Sequence, residues 1–245
     1  NSSLATYTNI SGNNTSPRNH VIDTITIHCI VGQWTAKQGC DYFATTDRKC
    51  SANYVVGKDG SIGLSVDEAD RSWCSSNAAN DNRAVTIEVA SDTTDPYAVT
   101  DAAYNALVQL VADICKRNGI KELKWKADKS LIGQVDKQNM TVHRWFAAKA
   151  CPGEYLYSRH GDIAAKVNAI LGASDEPVAS GFQATTLKDM GEADIIAKVG
   201  ALFTADQRKN GVLASVSFAQ FILESGYGKS ELAQNANNCF GMKCS

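Results

Sequence analysis

Two runs rich in β-branched residues limit this chain more than any other feature. Val21-Ile-Asp-Thr-Ile-Thr-Ile-His-Cys-Ile30 alternates such residues densely enough to be a buried strand, and Ala84-Val-Thr-Ile-Glu-Val-Ala90 reads as another. Between them, Asn53-Tyr-Val-Val and Ile62-Gly-Leu-Ser-Val flank Gly57-Lys-Asp-Gly-Ser61, where Asp59-Gly60 signals a tight turn and therefore a β-hairpin. A helix is predicted from Asp101 to Asn118, capped by Thr100, striped by Leu107, Leu110, Val111 and Ile114, and stopped by Gly119. Leu123-Lys-Trp-Lys126 reads as a short strand, and a second amphipathic helix follows Gly153 as far as Leu171, with His160 on its outer side. Strands alternating with helices in this order predict an α/β fold with a mixed central β-sheet flanked by helices.

At 245 residues the chain exceeds the usual single domain. Residues 1–19, rich in Asn, Ser and Thr, read as an extended surface arm of a first domain spanning 1–171. The small, polar stretch Gly172–Gly181 reads as a linker, drawn over 172–186. Beyond it, over 187–245, the pattern is helical: Ile195, Ile196, Val199 and Leu202 form one stripe and Ala214–Leu223 another, giving a small all-α segment. The net charge of −2 and pI near 6.1 argue against a nucleic-acid surface or a polybasic membrane anchor. No apolar run approaches the roughly 18 residues a membrane span needs. A chain opening on Asn1 reads as a trimmed or processed product, and the Asn-x-Ser/Thr triplets of the arm as chance. Eight cysteines whose spacing does not resemble a disulfide scaffold read as reduced thiols with at least one metal ligand among them; Cys239 and Cys244 pair or stay free.

The chemistry concentrates in Thr141-Val-His-Arg-Trp-Phe-Ala-Ala-Lys-Ala-Cys-Pro-Gly153, which brings an imidazole, an ammonium and a thiol into one short stretch. His143 and Cys151 suit a borderline-soft cation such as zinc; the plainer reading is a turn that opens a helix and buries a Cys. Their partner is His28 or Cys29, since strand neighbours point to opposite faces, although a lone His in such a strand is more often a hydrogen-bonded core residue. Glu88 interrupts its strand with a carboxylate whose burial costs several kcal/mol unless it is paired or functional; it is either a base or a half-exposed strand residue. The polar loop holding Arg71, Trp73, Cys74, Asn77, Asn80 and Arg83 has groups suited to a carbohydrate or peptide groove, or is an ordinary surface loop. Two imidazoles and one thiolate, from His28, His143 and Cys151, leave a fourth tetrahedral position open, as catalytic zinc requires.

These residues carry a resemblance. From about Ile22 to Leu171 the chain resembles the zinc-dependent N-acetylmuramoyl-L-alanine amidases, whose fold is shared with peptidoglycan recognition proteins. Ile25-Thr-Ile-His28 looks like the first-ligand strand and Ser51-Ala-Asn-Tyr-Val-Val56 with Asp59-Gly60 like the hairpin. Val85-Thr-Ile-Glu88 looks like the strand with the acid, and Thr141-Val-His143 through Ala150-Cys-Pro-Gly153 like the remaining ligands. The resemblance implies cleavage of the amide between N-acetylmuramic acid and L-alanine in bacterial peptidoglycan. It implies a zinc cofactor, Glu88 as proton carrier, Lys149 as oxyanion stabiliser and Tyr54 as accessory donor; the groove reading of the polar loop adds Trp73, Asn80 and Arg83 as substrate contacts. Cys74 departs from the pattern, because the family often has His there. Gly211–Ser230 with Asn237-Asn-Cys-Phe-Gly-Met-Lys243 looks like the start of bacterial endo-β-N-acetylglucosaminidases of the autolysin type, in which the residue matching Glu224 is the general acid. Two wall-cutting modules imply an endolysin or autolysin made in a reducing bacterial cytoplasm and acting on the cell wall. The competing readings are a module that binds peptidoglycan without cutting it, and a protein whose main activity is that of the glucosaminidase-like segment.

Overall fold

In the computed structural model, residues 1–172, 183–210 and 213–240 are described, and they fall in two units, Asn1–Ser174 and Asp175–Ser245. The first unit is built on a six-stranded sheet in the order β1-β5-β4-β7-β3-β8. Its strands are β1 (Tyr7–Thr8), β3 (Thr24–Val31), β4 (Tyr54–Val56), β5 (Ile62–Leu64), β7 (Ala84–Ser91) and β8 (Met140–Thr141). Only the β4–β5 hairpin is antiparallel, so the sheet is mixed as predicted. Gly60 makes the hairpin turn at φ +81°, a conformation costly for any residue with a Cβ.

The long strands sort their side chains by alternation. Ile25, Ile27 and Cys29 of β3, with Val85, Ile87 and Val89 of β7, face helices α3 (Asp101–Arg117) and α4 (Gly153–Gly172). Each buried aliphatic of this layer contributes roughly 1.5–3 kcal/mol of transfer free energy. The other face carries Thr26, His28 and Ile30, and α1 (Ala36–Thr45) packs there against Val55 through Cys40 and Phe43. No strand or helix pattern points to α1 in sequence beyond its capping box, in which Thr35 and Gln38 satisfy each other's backbone N–H groups. Helix α3 begins as read, with Ala103 N donating to Thr100 Oγ1.

Two expectations change and a third gains detail. Residues 1–19 lie extended and mostly exposed, as read, but they also pair: β1 extends the sheet beside β5, and β2 (Asn14–Thr15) pairs with β6 (Arg71–Ser72). Arg18 then donates to the carbonyls of Glu68, Asp70, Asn82 and Ala84, tying the arm down. Leu123–Lys126 is not a strand, because side-chain amides take its backbone donors: Leu123 N bonds Asn168, Lys124 N bonds Asn139 and Lys126 N bonds Gln138. His160 lies inside rather than outside α4, fully buried with its ring 4.6 Å from that of Trp125, which stacks on Trp145.

The second unit consists of α5 (Glu192–Asn210), α6 (Ala214–Ser225) and α7 (Glu231–Ala236) around Ile195, Val199, Phe221 and Ala233. Ile196, expected in the α5 stripe, is 48% exposed, since the stripe is narrower than the apolar residues suggest. The stretch 173–182, read as linker, and Cys244 lie outside the described residues. The seven described cysteines are unpaired.

Candidate metal centre

Strand register assembles the site. β3 and β7 pair in parallel with His28 directly beside Glu88, so both leave the same face of the sheet. β8 pairs on the other edge of β3, with Thr141 beside Thr26. The chain then enters a 3-10 turn, His143–Trp145, that sets the His143 ring 5.1 Å from that of His28. Cys151 comes from the loop before α4, and its Sγ lies 3.4 Å from His28 Nδ1. That loop depends on Gly153 at φ +79°, where a Cβ would come within 2.7 Å of Tyr97. One donor atom from each of His28, His143 and Cys151 lies within 4.8 Å of the others.

The loop after β6, with α2 (Ala78–Arg83), orients these groups. Ser75 Oγ is 3.1 Å from His28 Nε2, and Ser76 Oγ is 3.0 Å from His143 Nε2. Holding His28 at Nε2 leaves Nδ1 toward the thiol. Asn80 Nδ2 donates to Ser75 Oγ and Thr26 Oγ1, Thr141 Oγ1 donates to Asn80 Oδ1, and the two threonine hydroxyls are 2.7 Å apart. Asp81, buried, accepts the backbone N–H groups of Cys74 and Ser75. Sequence reasoning did not pick out Ser75, Ser76, Thr26 or Thr141; no spacing signal links residues so far apart.

The electrostatics suit a cation. Burial holds His28 well below the ordinary imidazole range, and burial also lowers His143, so both stay neutral with a lone pair to give. The Cys151 thiol is held well above its ordinary value by its hydrogen bond with the Cys29 thiol and by burial. A cation in the site offsets that cost and favours the thiolate. Burial pushes the Glu88 carboxyl up to about 7. Its Oε1 is 3.9 Å from His28 Nδ1 and 3.7 Å from Cys74 Sγ, while Oε2 is buried with no hydrogen-bond partner among the described residues. His28, Cys74 and Glu88 form a second, overlapping group of donors, so Cys74, the departure from the family pattern, reaches the acid rather than standing apart. An unpartnered carboxylate oxygen beside two imidazoles and a thiol is what an open metal centre needs; the donor set fits zinc with one position to spare.

The remaining expected residues divide. Trp73 and Lys149 line a cleft of about 420 Å³ together with His143 and Cys74. Tyr54 does not reach it: its position beside Ile87 puts it on the α3 and α4 face, opposite Glu88, with its hydroxyl donating to Glu68. Arg83 sits at the other end of β7, paired with Asp23. Asn80 is buried and fully used by the Ser75, Thr26 and Thr141 contacts, so it braces the site instead of meeting substrate. Glu224, in the second unit, is an exposed residue in the last turn of α6, which Gly226 closes in a left-handed conformation.

Among solved structures, that of PlyL is 17% identical, with a TM-score of 0.50, and the match covers 66% of this chain and 95% of that one. The selenomethionine derivative of AmpD is 20% identical, with a TM-score of 0.51, over 66% of this chain and 96% of that one. At these identities both establish the fold of the first unit. No curated protein matches the chain. The family description mannosyl-glycoprotein endo-beta-N-acetylglucosaminidase matches residues 200–245. The description N-acetylmuramoyl-L-alanine amidase matches residues 18–154, more than half of the chain and all of the donors above. The chain therefore belongs to the N-acetylmuramoyl-L-alanine amidase family.

Proposed function

We propose that this amidase cuts the bond between the lactyl group of N-acetylmuramic acid and L-alanine in bacterial peptidoglycan with a zinc ion held by His28, His143 and Cys151. The observation that carries the reading is the convergence of these three donors, from separate parts of the chain, to within 4.8 Å. When bound, zinc supplies Lewis-acid chemistry, bringing the ionisation of water to near neutral pH and polarising a carbonyl. Glu88 does the proton work: with its carboxyl pushed up to about 7 and Oε2 unpartnered, it takes a proton from the attacking water and returns it to the leaving amine. Lys149, exposed on the cleft wall with no carboxylate partner among the described residues, stabilises the negative charge that develops on the carbonyl oxygen. Trp73 offers the cleft an aromatic wall against which a sugar or peptide packs.

The match of residues 200–245 favours a second wall-directed module, with Glu224 as its acid, in an endolysin or autolysin that acts on the cell wall. Digestion of purified peptidoglycan separates the two activities, because amide cleavage releases amino groups and glycosidic cleavage releases reducing ends. Amino groups are expected to appear, to stop with chelator and to return with zinc, and to be indifferent to Glu224→Gln. Amine release that persists without metal overturns the mechanism.

A further inference from the structure

The cleft beside the metal centre carries more positive charge than the proposed reaction uses. Arg48, Lys49 and Arg71 join Lys149 around it, facing a single lining carboxylate, Asp81, whose Oδ2 already accepts two backbone N–H groups. Composition does not explain this, since the chain as a whole has a net charge of −2. None of the four has a carboxylate within 4.0 Å among the described residues, so their charge is left for a ligand in the cleft. Arg71 is also tethered: its Nη2 donates to Thr15 Oγ1 at 2.6 Å.

We propose that Arg48, Lys49 and Arg71 form a subsite for carboxylates of the peptide that continues from the L-alanine, so that the enzyme selects acidic over amidated stem peptides. The inference rests on the amidase reading above and assigns the substrate's direction within it. Once the lactyl carboxyl is tied up in the scissile amide, the aminosugar part of the substrate is uncharged. Negative charge then resides in the peptide, in its acidic side chains and its terminus, and that is the part a row of unpaired cations beside the metal centre recognises. Guanidinium groups bind carboxylates through paired N–H donors, and ammonium groups add a less directional attraction.

The test uses two soluble substrates: an N-acetylmuramoyl-L-alanyl-glutamyl peptide with free carboxylates, and the same peptide with those carboxylates amidated. The expected wild-type result is a kcat/KM about tenfold higher for the acidic form, carried by KM and shrinking as salt is raised. In Arg48→Gln/Lys49→Gln/Arg71→Gln the ratio falls to within about twofold, and in the charge-matched control Lys116→Gln/Lys121→Gln/Lys129→Gln it stays near the wild-type value. Arg48→Gln alone, at an exposed side chain, repeats the comparison should the triple variant misfold. A wild type that treats the two substrates alike, or a triple variant that keeps the preference, overturns the subsite. Cleavage of neither substrate by zinc-loaded wild type counts against the amidase reading instead, and calorimetric binding of the two peptides then still decides the subsite. If the triple variant is impaired only on whole walls, and stripping their phosphate polymers abolishes the difference, the cations serve the polymer and the peptide proposal fails.

Discussion

Glu88 and Cys151 sit a few ångströms from the same imidazole, His28, and single substitutions tell their roles apart. Glu88→Gln keeps the shape of the side chain but cannot accept the proton, so zinc is expected to stay bound while turnover falls by roughly 10²–10⁴-fold. Cys151→Ser replaces a thiolate by a hydroxyl, and zinc affinity and activity are expected to fall together. Metal content by elemental analysis beside amine release checks both, and a Glu88→Gln enzyme with unchanged turnover removes Glu88 from the proton-carrying role. Ser75 is the third residue to probe, because its hydroxyl holds His28 at Nε2 and is itself held by Asn80. Ser75→Ala is expected to weaken zinc binding about 10–100-fold, read by competition with a chromophoric chelator. An unchanged affinity shows that His28 is oriented without it. The ligands were legible in sequence as chemically suitable residues near strand ends. Ser75 was not, since a serine in a polar loop looks the same whether or not it faces a ligand.

At the scale of elements, α4 carries a stability switch. His160 is fully buried beneath Trp125 with Nδ1 2.7 Å from the Leu156 carbonyl oxygen, and burial lowers its pKa to about 4. The unfolded chain takes up a proton on this imidazole below about 6.5, the folded chain only below about 4. Between those values the unfolded state binds more protons, so this contribution is complete above pH 6.5 and is lost as pH falls toward 4, on the order of 3 kcal/mol in all. Urea unfolding of metal-free protein at pH 7.5, 5.5 and 4.5 is expected to show a steeper loss for wild type than for His160→Gln; parallel pH profiles refute the assignment. The two long strands, the hairpin and α3 were readable because alternation, turn residues and a cap all agreed. The strand expected at Leu123–Lys126 was not realised, because Asn139, Gln138 and Asn168 offered its N–H groups side-chain acceptors in place of a neighbouring strand.

At the scale of the molecule, each unit has its own apolar core: the first on both faces of the sheet, the second around Phe221. All the proposed zinc donors belong to the first. Ending the chain after residue 172 is therefore expected to leave zinc affinity and amide cleavage within about twofold, measured by chelator competition and amine release. A large loss means that the second unit supports the metal centre. By itself the sequence determined the two long strands, the hairpin, α3 and α4, and which side chains have the chemistry of an amidase, because those depend on local patterning and on residue type. It also determined that His28 and Cys29 point apart. What only the tertiary structure decided is which face of the sheet becomes the site. Alternation ties Tyr54 to the face opposite Glu88 once β4 pairs with β7, which buries Tyr54 in the core, and the packing of α4 encloses His160. Asn80 turned from an expected substrate contact into a brace between Thr26, Ser75 and Thr141 for the same reason. Facing and enclosure are set by neighbours distant in the chain, and no local pattern encodes them.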